Sequence, residues 1–241
     1  MVVDIETVVD VECPPPPSKD ETKPDFAGPA HWRVVSIGVG WCVDGHARKI
    51  ACLPSHGMGN MREEMLLRDF VRLFEGRDIR VVGWNTRGFD LPVIAHRCLG
   101  YGIQWPWYYS ERRGSSPRYR YSAECNLDLM DFLCDHGSSR RQSMDSVARL
   151  IGLSGKGDVS GGDVAAMWGR GELAEIDKYC GDDVAQTVAI FNRFELLRGK
   201  IGIDEYVSRM QSWLSHVGGE KSGLVRDIQR LLAVSHIEVG L

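Results

Sequence analysis

The spacing of apolar and polar positions changes period several times along the chain. Residues 2–9 (VVDIETVV) are rich in β-branched side chains and read as a strand. Residues 31–45 predict a second strand and residues 46–55 a third, joined by the hairpin signal Asp44-Gly45. Over 61–76 the pattern turns helical, with Leu66, Phe70, Leu73 and Phe74 on one face and a stop at Gly76. Residues 78–84 form a short strand, followed by a helix that starts near Asp90 with Pro92 in its first turn. A loop of unusual composition occupies 101–121, residues 126–133 read as a strand or strand-turn, and 144–153 are helical. Beyond a glycine-rich bend at 155–162, residues 171–197 predict one long helix that runs through Gly181. Two amphipathic stretches, 204–216 and 224–235, close the chain. Three hairpin-linked strands followed by β/α alternation predict an α/β fold with a mixed sheet flanked by helices. The pattern divides the chain into a domain over 1–197 and a short C-terminal helical extension over 198–241. Residues 13–29 hold six of the ten prolines and interrupt the pattern as a polar insertion, a candidate lid or flexible loop.

Composition narrows the class of protein. Apolar residues make up 43% and charged residues 26%, the balance of a globular domain able to build a core without disulfides or a structural metal. The seven cysteines are odd in number and show no CxxC spacing, so they read as reduced thiols in a cytoplasmic protein. No apolar run is long enough for a membrane span, and acids at positions 4 and 6 do not fit a signal peptide. A net charge of −4 supplies no global basic field, so nucleic acid would need a local patch or bound cations.

Three segments carry candidate chemistry. Asp4 and Glu6 are two apart on a strand and so share a face, where paired carboxylates repel unless a cation lies between them. Asp90 follows a strand and opens a helix, a corner where ligands of α/β sheets collect. Tyr179 and Asp183 are four apart on a helix and are neighbours on one face, with Asp182 turned away. Taken singly, each has an ordinary reading: two solvated acids, a helix N-cap with Asn85 capping the turn, and a helical i,i+4 pair. Their order along the chain lets all of them face one crevice.

Asp4-Ile5-Glu6, Asn85-x-x-x-Phe89-Asp90 and Tyr179-x-x-x-Asp183 resemble the three motifs of the DEDD exonuclease superfamily, tyrosine subtype. The second motif looks most like the exonuclease domain of family-B DNA polymerases. The stretch from DLMDFL through SMDSVARLIGL to YCGDDV is similar to stand-alone bacterial proteins related to that domain. The chain departs from that group in its long insertion at 13–29 and in Asn126, where a histidine is expected. The resemblance implies a ribonuclease-H-like fold and a 3′→5′ exonuclease with two divalent cations, Mg²⁺ or Mn²⁺. It further implies that Asp4 bridges both cations, that Glu6 and Asp183 complete the nucleophile side, and that Asp90 serves the leaving-group side. Two cations roughly 3.5–4 Å apart can activate water, relieve phosphate charge and stabilise the leaving oxygen. Tyr179 would orient the water, since a phenol with a pKa of about 10 is a poor base.

The substrate implied is a single-stranded 3′ end, DNA in preference to RNA, with a replication or repair partner conceivable. Residues 105–121 hold six aromatics and four arginines, Arg112, Arg113, Arg118 and Arg120, which could stack on bases and neutralise phosphates. The same loop could instead be a packed surface with arginines on aromatic faces. By analogy with the superfamily, Thr7 and Phe89 would hold the terminal nucleotide, with Asn85 beside them. Two other functions remain open at this point: a 3′→5′ exoribonuclease of the same fold, and a catalytically silent nucleic-acid-binding module.

Overall fold

The computed structural model describes residues 1–17, 27–54, 60–111, 116–153 and 161–217. The bulk of the proline-rich insertion, Arg112, Arg113, the glycine-rich bend and the stretch 224–235 lie outside the described residues in whole or in large part.

Strands β1 (Val2–Val9), β2 (Trp32–Val43), β3 (His46–Cys52), β4 (Val81–Gly83) and β5 (Asn126–Asp128) form one sheet in the order β3-β2-β1-β4-β5. β1, β2 and β3 pair antiparallel as hairpins, and β1, β4 and β5 pair parallel. This is the mixed α/β sheet that the hairpins and the later β/α alternation predict. The helices are α1 (Asn60–Arg72), α2 (Asp90–Tyr101), α3 (Pro106–Tyr109), α4 (Leu129–Leu133), α5 (Met144–Leu150), α6 (Val164–Arg170), α7 (Leu173–Leu197) and α8 (Ile203–Leu214).

Period-two alternation along β1 sorts its side chains onto two faces. Val3 and Ile5 pack with Leu66, Phe70, Leu91 and Ile94 of α1 and α2. Val2 packs with Val184 and Val188 of α7, and Val8 packs with Ile176 and Tyr179 of the same helix. Asp4 and Glu6 therefore lie on the α7 face, between Val2 and Val8. In β2 the register shifts opposite Glu6 and Thr7. This bulge inserts one residue, so that Val35, which packs with Tyr179, and Ser36, which bonds Asp177, both turn toward α7.

α7 lies unusually close to the sheet because β2 has glycine at the crossing points. A Cβ on Gly38 would stand 2.6 Å from Val184 Cγ2 and 2.9 Å from Cys180 Sγ, and one on Gly40 would stand 3.0 Å from Val184 and Val188 methyls. α8 packs on α7 and β3 and buries Tyr206, Met210 and Trp213; the Trp213 indole donates to Ala185 O at 2.7 Å. Burial of this kind contributes roughly 1.5–3 kcal/mol per large apolar side chain. The described part of the C-terminal extension is thus continuous with the main core.

Three elements differ from the expected pattern. Residues 126–133 split into β5 and α4, because the Asp128 carboxylate accepts from Asp131 N–H and caps a helix there. Residues 164–170 form a helix, α6, between two glycine-containing segments. Trp105, expected in an open aromatic loop, is 4% exposed and stacks among Phe70, Phe74 and Tyr108.

Candidate active site

Asp4 and Glu6 stand midway along β1, Asp90 opens α2 beside the Ile5 N–H, and Asp183 lies on α7 near enough to act on the Asp90 charge. Glu6, Asp90 and Asp183 are buried and Asp4 is partly buried. β4 stops at Gly83 while β1 runs on, so the Ile5 N–H on that edge lacks a partner strand. The Asp90 carboxylate takes this N–H, from the residue that separates Asp4 and Glu6 in sequence. Burial pushes the Asp90 carboxyl up to about 7, with further upward contributions from the Asp128 and Asp183 charges. On the opposite side, single ligand atoms of Asp4, Glu6 and Cys180 all lie within 4.8 Å of one another. The Cys180 thiol contacts Asp4 O at 3.5 Å and Asp4 Oδ2 at 3.8 Å.

Asp90 is held by a turn that the sequence builds with care. Gly83 faces the Val3 carbonyl and the Thr86 methyl so closely that a Cβ would not fit, and Asn85 takes a left-handed conformation with φ 62°. Gly88 then leaves room for the Asn85 Oδ1, and Gly88 and Phe89 N–H both donate to Asn85 O. Asp128, buried under this turn, accepts from Asn85 N–H at 3.0 Å and Arg87 N–H at 3.0 Å. Arg87 in turn donates to the carbonyls of Pro117, Ser122 and Asn126 and ties the turn to the following loop. Asp128 and Arg87 were not singled out from the sequence. Their only signal was position, inside the NTRGFD and NLDLMD segments.

The other expected residues are placed unevenly. Tyr179 is 9% exposed and packs on Val8 and Val35, one turn of α7 before Asp183. Asp182 points away and pairs with Lys178 at 3.1 Å. Phe89 meets Trp32 edge to face, 5.8 Å between ring centres, on the α2 side. Strand alternation puts Thr7 on that side too, opposite the Asp4 and Glu6 face. A cleft of about 360 Å³ opens beside the Asn85 turn, lined by Arg87, Tyr108, Arg118, Arg120 and Asp128 among others. Within it Arg120 is already paired with Asp131 at 2.6 Å, and Arg118 lies over the Tyr109 ring at 5.1 Å.

The donor set suits hard divalent cations. It offers carboxylate oxygens from Asp4, Glu6, Asp90 and Asp183, and three of these side chains are buried, where uncompensated negative charge is costly. Burial raises the Asp90 carboxyl for the same reason.

No curated protein matches the chain. Among solved structures, the family B DNA polymerase of the archaeon Pyrobaculum calidifontis is similar in fold, with a TM-score of 0.53 and 20% identity over 97% of this chain. The chain spans 29% of the length of that polymerase. This likeness agrees with the ribonuclease-H-like reading of the sheet. Residues 24–228 match a family described as "predicted 3'-5' exonuclease related to the exonuclease domain of PolB". The match includes Asp90, Tyr179 and Asp183 and begins after Asp4 and Glu6. By a match over most of its length, the chain belongs to this family of predicted 3′→5′ exonucleases related to the polymerase exonuclease domain.

Proposed function

We propose that the chain hydrolyses phosphodiester bonds from single-stranded 3′ ends, DNA in preference to RNA. Asp4, Glu6, Asp90 and Asp183 would hold two divalent cations, Mg²⁺ or Mn²⁺. When bound, such ions supply water activation and charge relief on the phosphate. The observation that carries this reading is the seating of Asp90 on the Ile5 N–H, close enough to Asp183 to feel its charge.

The chain's own groups supply the rest. Ile5 N–H fixes one Asp90 oxygen, and the Asn85 turn fixes the helix that bears it. Tyr179, packed against Val8 and Val35 one turn before Asp183, would orient the attacking water with its hydroxyl. The cleft beside Asn85 gives a path for a single strand, and Arg118 borders it with a side chain 45% exposed. The relation to a DNA polymerase exonuclease domain favours DNA as substrate.

The test uses single-stranded DNA and RNA of matched sequence, labelled at the 5′ end and incubated with Mg²⁺ or Mn²⁺. The expected result is a ladder shortening from the 3′ end, faster on DNA and stopped by a chelator. Internal cuts, or no metal-stimulated cleavage of either polymer, would refute the reading.

A further inference from the structure

One cross-strand row of the sheet leads from the site to a second thiol. Asp4 pairs with Gly38 across β1 and β2, and Gly38 pairs with Cys52 across β2 and β3. Cross-strand partners share a face, so Asp4 and Cys52 flank a position that has no side chain. Cys180 of α7 fills the gap above Gly38. Its sulfur touches Asp4 on one side and faces the Cys52 thiol on the other. Cys52 also lies 2.9 Å from the Asp177 carbonyl of α7. Cys180 is fully buried and Cys52 is half-buried at the margin of the sheet.

We propose that Cys52 and Cys180 form a peroxide-sensitive dithiol, whose oxidation to a disulfide ties β3 to α7 beside Asp4 and slows the enzyme. The effect on rate rests on the proposed nuclease function; the bond itself does not. Cys52 sulfur attacks hydrogen peroxide, giving a sulfenic acid and one water. Cys180 sulfur then displaces the hydroxyl, which leaves as a second water with the thiol proton, and the S–S bond forms. The two thiols lose two electrons and two protons, and the peroxide is reduced to water. Cys52, half-buried at the margin of the sheet, is the thiol that peroxide can reach, whereas Cys180 is fully buried, so Cys52 attacks first.

The two sulfurs must close to about 2.05 Å to bond. That movement draws Cys180 off Asp4 and pulls on the turn of α7 between Tyr179 and Asp183. A misplacement of about 1 Å in a catalytic group can cost roughly 100-fold in rate.

The experiment treats the full chain with graded hydrogen peroxide, alkylates the remaining thiols and maps peptides by mass spectrometry. Nuclease rate is followed before and after dithiothreitol. The expected result is a 52–180 cross-linked peptide and a rate at least about tenfold lower, restored by reductant. Cys52→Ser should keep the basal rate and resist peroxide, with Cys52→Ala as a check on folding. Oxidation that spares this pair while exposed Cys13 reacts would overturn the proposal. So would a cross-linked chain that cuts at the full rate. A chain that forms the bridge but never cuts nucleic acid when reduced would retain the dithiol and remove the nuclease reading instead.

Discussion

Gly38→Ala places one methyl group at the crossing of β2 and α7. Its Cβ would stand 2.6 Å from Val184 Cγ2, 2.9 Å from Cys180 Sγ and 3.2 Å from the Cys180 carbonyl oxygen. Carbon atoms rest about 3.5–4.0 Å apart, so the helix must retreat by about 1 Å. The Val184 methyl could rotate, but the Cys180 carbonyl is backbone and moves only with α7. Overpacking of this kind costs about 1–3 kcal/mol, against a gain of about 0.5–1 kcal/mol from removing glycine from a strand. The same retreat carries Tyr179 and Asp183 away from β1, so a loss of roughly 100-fold in kcat is expected. Gly40→Ala, whose neighbours are all side-chain carbons at 3.0–3.2 Å, should fall between this variant and the parent. Gly100→Ala, at an exposed helical position with nothing within 4 Å, should stabilise by up to about 1 kcal/mol and leave cleavage unchanged. Urea unfolding and single-turnover cleavage of labelled DNA measure the two effects. A Gly38→Ala protein with parental stability and parental kcat would refute the close-approach argument.

Three further predictions concern charge and the water-orienting group. Asp90, pushed up to about 7, is protonated below that pH in the cation-free protein. Its raised pKa favours the folded state at low pH, a contribution lost as pH rises through 7, whereas cations require the carboxylate. Apparent Mg²⁺ affinity should therefore fall about tenfold per pH unit below 7, with a proton released on binding; calorimetry in buffers of different ionisation enthalpy would show no difference if this is wrong. Arg97 lies between the buried carboxylates of Glu63 and Asp10, 2.6 Å from each. Arg97→Met should destabilise by about 3–5 kcal/mol, because buried Glu63 loses its ion pair and buried Asp10 is left with Arg33; a shift in the denaturation midpoint worth under 1 kcal/mol would count against it. Tyr179→Phe should retain Mn²⁺ and DNA binding and lose about 10²-fold in kcat; unchanged turnover at saturating DNA would remove the hydroxyl from the chemistry.

The site was legible in the sequence wherever its geometry is local. The period-two spacing of Asp4 and Glu6 and the four-residue spacing of Tyr179 and Asp183 place each pair on one face whatever the fold around them. Asp90 needed only its position at a strand-to-helix corner. What brings these pairs together was not legible, since Gly38 is required by a helix some 140 positions later in the chain, at Cys180 and Val184. Asp128 looked like one more acid in a strand, and only the fold shows it holding the Asn85 turn. Composition misled in the aromatic loop, because tryptophans that stack on bases and tryptophans that fill a core look alike in sequence; Trp105 does the second, against Phe70 and Phe74. Helix α6 was missed because its seven residues, buried chiefly through Val164 and Met167, are too few to set a period.

The convergence of four carboxylates on a pair of cations is tested most directly by counting bound Mn²⁺ with electron paramagnetic resonance, for the parent chain and for Asp4→Asn. Two tightly held ions in the parent, and loss of both when the shared Asp4 ligand is neutralised, are the predicted result. An Asp4→Asn chain that binds Mn²⁺ as the parent does, or a parent that binds none, would contradict the account.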